Sequence, residues 1–252
     1  MPITEKKIQE SYTKALSKSK MSKSTCCTSS TCCPPSSEVS IENSLQSSSD
    51  QKSQPISFGC ILLEGFLNET LKPGDTVIDF GSGPGHDLMI AARIVGPTGR
   101  AIGVDFTDAM LAEAQSVAEE EGFTHVELVK ANIEDIPLPD NVADVIISNC
   151  VINLALNKAN VFKEAFRLLK PGGVLIDADV ITSSPLPDEI VNDKDLWCGC
   201  IGGALTASKY KQLIEAEGFT NISIEIGSKN DVTFDKEEIS ILSGVIKAQK
   251  PL

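Results

Sequence analysis

From residue 76 onward the chain alternates short apolar runs with longer stretches in which apolar residues return every three or four positions. TVIDF (76–80), RAIGVD (100–105), VELVK (126–130), ADVIIS (143–148) and VLIDA (174–178) have strand length and branched side chains. DLMIAARIV (87–95) predicts a helix and GPTG (96–99) a turn. A second helix carries Met110, Leu111, Ala114, Val117 and Ala118 on one face, with Thr107 and Asp108 as N-cap candidates and Gly122 at its end. Residues 158–169 predict a helix stopped by KPGG, and residues 208–217 a helix ended by Gly218. Residues 222–226 and 243–248 supply the last two strands. Such alternation predicts an α/β fold: a doubly wound, mostly parallel sheet of seven strands.

Residues 1–57 follow another pattern. Ile8, Tyr12 and Leu16 recur every fourth position and mark a weak helix over about the first 20 residues. A serine-rich stretch with Cys26, Cys27, Cys32 and Cys33 follows. It has too few large apolar side chains to offset the entropy of ordering. The expected organisation is a helix and flexible arm over 1–57 and one domain over 58–252.

Composition narrows the chemistry. The chain has 252 residues and a net charge of −13, which works against the clustered cations that nucleic acid binding needs. No apolar run reaches the roughly 18 residues of a membrane span. The lysine-rich start is followed by no apolar segment of a secretory signal. A cytoplasmic location is expected. There, eight cysteines serve as ligands, redox groups or buried side chains rather than as a disulfide framework.

Candidate chemistry concentrates in VIDFGSGPGHD (77–87). Gly81, Gly83 and Gly85 lie between strand and helix, where bare backbone approaches a ligand closely. A dinucleotide loop prefers G-x-G-x-x-G; here the third glycine comes one residue early and His86 takes its place. Asp105 ends the second strand, where a carboxylate holds ribose hydroxyls. A nucleoside cofactor and a dinucleotide both use it, so it does not separate them.

Cys60, Cys150 and Cys200 fall before the first strand, at the end of the fourth and after the fifth, places that can converge on one rim. Taken singly, Cys60 and Cys150 fit a small buried apolar residue as well as a ligand. WCGCIGG around Cys200 is too polar and glycine-rich for simple core. Cys198 reads as a bystander. The arm cysteines come in adjacent pairs that fit zinc spacing poorly. Of the two histidines, His86 follows the glycine loop and His125 reads as a solvated turn residue.

Asp79 together with the loop resembles motif I of class I S-adenosylmethionine-dependent methyltransferases. ANIEDIPLPD (131–140) resembles that family's adenine-lining loop, and LLKPGG (168–173) the turn before its fifth strand. SNCVINL (148–154) and W-x-x-C-x-x-G-A-L (197–205), with Tyr12 and the CC pairs, resemble the prokaryotic arsenite methyltransferases. The resemblance implies a Rossmann-like class I methyltransferase fold with S-adenosylmethionine as cofactor. It implies cofactor contacts from Asp79, Gly81, Gly83, Gly85, Asp87, Asp105, Met110, Ile133, Glu134 and Asn149. Trivalent arsenic, arriving as arsenite or its glutathione conjugate, would be held by the thiolates of Cys150, Cys200 and Cys60. Thioredoxin or glutathione would be the reductant, and one arm pair an additional redox cysteine. His86 and Asn132 depart from the commoner family residues.

Soft thiolates suit a soft centre that keeps a lone pair, so no general base is required. Three rivals stand beside this reading: a class I methyltransferase acting on another small organic molecule, a non-catalytic thiol-rich metal binder, and a dehydrogenase.

Overall fold

The structure, a computed structural model, describes residues 3–21, 63–234 and 237–252. Its strands are β1 (Thr76–Phe80), β2 (Arg100–Asp105), β3 (Val126–Lys130), β4 (Ala143–Asn149), β5 (Leu169–Thr182), β6 (Leu205–Thr206), β7 (Thr220–Phe234) and β8 (Glu237–Gln249). They form one sheet in the order β3-β2-β1-β4-β5-β8-β7, with β6 pairing β5 off that path. Pairings among β1 to β6 are parallel, and β8 runs antiparallel to both β5 and β7. All seven expected strands are present. The two-residue β6 is an eighth, too short to leave a sequence signal.

The helices are α1 (Glu5–Met21), α2 (Glu64–Thr70), α3 (His86–Val95), α4 (Asp108–Glu120), α5 (Lys158–Leu168), α6 (Asp188–Val191), α7 (Lys194–Cys198) and α8 (Ala207–Ala216). Alternate residues of the central strands serve opposite faces, as a doubly covered sheet requires. Ile78, Phe80 and Ile146 pack with Phe162 of α5 and Tyr210 of α8. Val77, Val145 and Ile147 pack with Leu67 of α2 and Leu88 of α3. A third cluster joins Ile8 of α1 to Leu154, Val180, Cys200 and Ile241.

Two boundaries differ from expectation. KPGG does not follow the helix as a loop: α5 ends at Leu168 and β5 begins at Leu169, with Gly172 in the left-handed region. The last two strands run well past 222–226 and 243–248. Lys229 to Val232 are held by ladder pairing with β8, not by burial of an alternating face, and a register shift at Ile226/Lys229 hides their period. The reversal of strand order lies between β1 and β4, so the carboxyl ends of these two strands open the crevice where ligands bind in such sheets. Among the described residues, no helix is long and apolar enough to cross a membrane.

Candidate active site

The glycine loop leaves β1 at the crevice. Gly81, Gly83 and Gly85 all have positive φ, the conformation that favours glycine. A Cβ at Gly81 would run into the Val151 side chain, and one at Gly85 would come within 3.0 Å of Met89 Cε. At Gly83 a Cβ would meet only the Gly81 carbonyl at 3.9 Å, so the loop's middle faces open space. Asp105 ties the loop to the end of β2: its carboxylate accepts from Gly83 N–H at 3.1 Å and from Thr107 N–H at 2.7 Å.

Carboxylates gather here. Burial, then the nearby Asp87 and Asp105, push the Asp79 carboxyl well above the usual carboxylate range. Burial also raises Asp87, although Asn149 Nδ2 donates to it at 2.8 Å. Burial raises Asp105 in the same way. The adjoining pocket mixes apolar and polar walls, with Ile8, Ile133, Val151 and Leu154 alongside Asp105, Asn132 and Glu134. A concentration of buried carboxyl groups beside a largely apolar pocket fits a ligand with a flat apolar part, hydroxyls and a cationic centre whose charge would favour their ionised forms.

Helix α1 roofs this pocket. Glu5 and Ile8 line it, Asn132 Nδ2 donates to Glu5 Oε1 at 2.7 Å, and Gln9 Nε2 donates to the Phe106 carbonyl at 3.1 Å. One turn further along, the Tyr12 hydroxyl donates to the Cys198 carbonyl at 3.4 Å and stands 4.0 Å from Cys200 Sγ. The expected helix thus exists and spans both parts of the site.

The structure brings Cys150 and Cys200 together from opposite ends of the central segment. The Cys200 thiol donates to the Cys150 carbonyl at 3.0 Å. Both residues adopt left-handed backbone, with φ of 58° and 63°. The other non-glycine residues with positive φ among those described are Asn141 and Asn221, and asparagine tolerates this region better than cysteine. Backbone strain of this kind persists where surrounding structure enforces it.

The enforcement at Cys200 is visible. Gly199 caps α7, Cys200 N–H donates to the Trp197 carbonyl, and Ile201 N–H donates to the Leu196 carbonyl. That is a Schellman ending in which cysteine occupies the position glycine usually takes. Gly203 then lies so close that a Cβ there would collide with the Asn153 carbonyl. This explains the GG of CIGGAL.

A buried network fixes the turn after Cys150. Asn153 Nδ2 donates to Asp179 Oδ1 at 2.7 Å and to the Val180 carbonyl at 2.7 Å. Asn153 N–H donates to Asp179 Oδ2, and the Tyr210 hydroxyl donates to Asn153 Oδ1 at 2.6 Å. Trp197 Nε1 donates to the Leu154 carbonyl, which fastens α7 to the same turn. Burial raises the Tyr210 hydroxyl well above its usual range, with Asp179, Asp177 and both cysteines adding to the effect.

Of the residues singled out from sequence, Gly81, Asp105, Ile133 and Glu134 line the pocket. Asp79, Gly83, Gly85, Asp87 and Asn149 form the loop and its supports. Met110 is buried on α4, outside that pocket lining. Cys60 and the arm cysteines Cys26, Cys27, Cys32 and Cys33 lie outside the described residues. His125 is not simply solvated: it is half-buried, its Nε2 stands 2.9 Å from the Ala92 carbonyl, and its ring meets Phe123 edge-on. Asn153, Asp179, Tyr210 and Lys158 escaped sequence reasoning because each looks like an ordinary polar residue. A cysteine where a helix-ending glycine belongs was the signal that could have singled out Cys200.

Comparisons with known proteins agree with this geometry. The chain is 38% identical over 192 residues to a Halobacterium salinarum protein named arsenite methyltransferase, covering 72% of this chain and 48% of the relative. It is 34% identical over 177 residues to the human protein of that name, covering 67% and 47%. The chain thus spans about half the length of the curated relatives it matches. A solved arsenic(III) S-adenosylmethionine methyltransferase from Chlamydomonas reinhardtii superposes with a TM-score of 0.62 at 27% identity, over 84% of this chain and 70% of that one. The family profile described as methyltransferase domain matches residues 71–238, a segment that takes in the glycine loop, the carboxylates and both cysteines. With the loop at the switch point of a doubly wound sheet and that profile spanning most of the chain, the protein belongs to the methyltransferase-domain family.

Proposed function

We propose that this protein methylates trivalent arsenic held between the thiolates of Cys150 and Cys200, using S-adenosylmethionine. The carrying observation is the thiol of Cys200 set 3.0 Å from the Cys150 carbonyl, with Val151 next in the chain packed against Gly81 of the loop. The relatives' names support the substrate.

The residues fit the cofactor. Asp105 and the pocket lined by Ile133 and Glu134 suit its nucleoside, and Asp79 and Asp87 suit its charged end. When bound, it supplies an electrophilic methyl group. The protein's own work is positioning. Two soft thiolates displace oxygen or glutathione ligands from arsenic and direct its lone pair toward the pocket. No general base is needed, because arsenic itself is the nucleophile. Forming the arsenic–carbon bond oxidises the centre by two electrons, and two thiolates return them by joining as a disulfide. Cys60 or an arm cysteine is the natural partner in that step, with thioredoxin or glutathione restoring the thiols. Free thiols with this duty belong in a reducing compartment, consistent with the cytoplasm.

The test is transfer of labelled methyl from S-adenosylmethionine to arsenite in the presence of glutathione. The expected result is arsenite-dependent transfer that disappears in Cys150→Ser and Cys200→Ser while cofactor binding persists. Activity that survives both substitutions, or depends on an organic acceptor instead, would overturn the proposal and favour a methyltransferase of another small molecule.

A further inference from the structure

The loop after β3 is short of hydrogen-bond donors. Its IPLPD segment (136–140) carries Pro137 and Pro139, neither of which has an N–H, so it cannot tie itself down as a regular turn or strand would. Ile136 N–H donates to Glu164 Oε2 at 3.0 Å, and Leu138 N–H donates to the Ile136 carbonyl at 2.8 Å. The carbonyls need a partner from outside the segment, and Arg167 of α5 supplies it. Its Nη2 donates to the Ile136 carbonyl at 2.9 Å. Its Nη1 donates to the Leu138 carbonyl at 2.7 Å and to Asp140 Oδ1 at 2.8 Å. Nε and Nη2 also donate to the two Glu164 carboxylate oxygens, at 2.9 and 2.8 Å, so every N–H of the guanidinium has an acceptor. The Arg167 carbonyl in turn accepts from Asn141 N–H at 3.0 Å.

This clamp stands directly behind one wall of the cofactor pocket. Asn132, Ile133 and Glu134 line the pocket, and Ile136 follows two residues later. The wall is folded on itself: Glu134 N–H donates to Asn132 Oδ1 and Asp135 N–H to the Asn132 carbonyl, both at 3.0 Å. At the other end of α5, the N-cap Asn157 donates its N–H to Glu134 Oε1 at 3.0 Å. Between these fastenings, Ile133 and Ile136 are buried in one cluster with Val161, Phe162 and Ala165 of α5. One helix therefore holds the wall at both ends and from below.

We infer that Arg167 is a positioning residue for the cofactor: with Glu164, and through the Ile136 and Leu138 carbonyls, it holds the wall of Asn132, Ile133 and Glu134 in its binding geometry before the cofactor arrives. Arg167 is not among the residues lining that pocket, so it acts through the loop. A wall fixed in advance loses little freedom on binding, and the saving appears as affinity. The planar fork matters as well as the charge, because a lysine ammonium is a point donor that cannot span two carbonyls and two carboxylates. The inference concerns S-adenosylmethionine binding and does not depend on the arsenic substrate.

The test pairs calorimetry of S-adenosylhomocysteine binding with amide hydrogen exchange followed by NMR, and neither contains a methyl acceptor. Arg167→Met should raise the dissociation constant about tenfold, because binding then includes ordering the loop. Arg167→Lys should recover little of that loss. Without ligand, exchange at Asp135, Ile136 and Leu138 should speed up in Arg167→Met, while the Gly83 amide, held by Asp105, exchanges as in the native chain. The ligand should then slow the loop amides by a larger factor in the variant than in the native chain.

An arginine that only stabilises the fold would lower the thermal midpoint and leave the dissociation constant of the folded protein unmoved. That result overturns the inference, as does full recovery by Arg167→Lys or an equal acceleration at Gly83. If Arg167→Met does not fold, the native chain decides. Its Asp135, Ile136 and Leu138 amides should exchange about a hundredfold or more below the unstructured rate without ligand. Exchange at the unstructured rate until ligand is added overturns the inference.

Discussion

The glycine loop draws its residues from one continuous stretch, 77–87, whereas the thiol pair draws on the end of β4, the start of α5, the loop after α7 and the body of α8. The first half of the site is shaped by backbone, with glycines at positive φ and N–H groups turned toward Asp105. The second is shaped by side chains, with Asn153, Asp179, Tyr210, Trp197 and Lys158 locking two strained cysteines. Their charges also differ. The loop half collects carboxyl groups, as a cationic ligand requires, and the thiol half holds a lysine against the Asn153 and Ala155 carbonyls. A local stretch can build a backbone cradle by itself. A two-thiol clamp needs tertiary contacts, because its halves are fifty residues apart in sequence.

If the halves are separable, substitutions should divide them. The largest effect is expected at Cys150→Ser or Cys200→Ser, with arsenic-dependent methyl transfer falling to background and the cofactor dissociation constant unchanged by calorimetry. Next is Asn153→Ala. It removes the acceptor of the buried Tyr210 hydroxyl and the amide that ties Asp179 to the Val180 carbonyl, at a cost of about 3 kcal/mol in chemical denaturation. Arsenite binding, read from the fluorescence of Trp197, the sole tryptophan, should weaken far more than cofactor binding.

Gly81→Ala tests where the halves touch. Its Cβ would displace Val151, next to Cys150, so it should cost about 2 kcal/mol and impair both binding events. Gly83→Ala has room and should cost only about 1 kcal/mol of backbone strain, confined to the cofactor. Equal behaviour of the two variants would undo the separation of the halves.

Acidity separates the halves more gently. Asp79 and Asp87 in one half and Asp177 behind the other are raised by burial from an ordinary value near 3.8. The folded chain holds protons that the unfolded chain releases. Their stabilising contribution is complete below that value and is lost as pH rises through the raised values. Scanning calorimetry should therefore show Asp177→Asn losing less stability than the native chain as pH rises above about 4. Adding S-adenosylmethionine should flatten the share due to Asp79 and Asp87 and leave that of Asp177. The smallest effect is expected at Glu5→Gln, about 0.5 kcal/mol or less, because its bond to Asn132 is exposed.

Much of the fold and part of the site are legible in the residues alone. Apolar runs of strand length locate β1, β2 and β4 because a buried parallel strand must be apolar on both faces, while the edge strand β3 shows itself by branched residues between the exposed Glu127 and Lys130. Asp79 and the glycines stand out because few residue types tolerate their positions. The polar outer part of β7 is not legible, since its ladder depends on β8 and leaves no period in its own residues. Nor are Lys158 and Asn153, whose meaning comes wholly from what they touch.

The amino-acid sequence by itself determined the alternating sheet and the loop at the end of β1, because strand burial and glycine's backbone freedom are properties of residues and their immediate neighbours. Only the tertiary structure decided that Cys200 meets Cys150, that α1 roofs both halves and that Lys158 lies between the two thiol-bearing segments. Those are contacts across long separations. They exist because the fold closes the intervening loops and makes each burial worth its entropy.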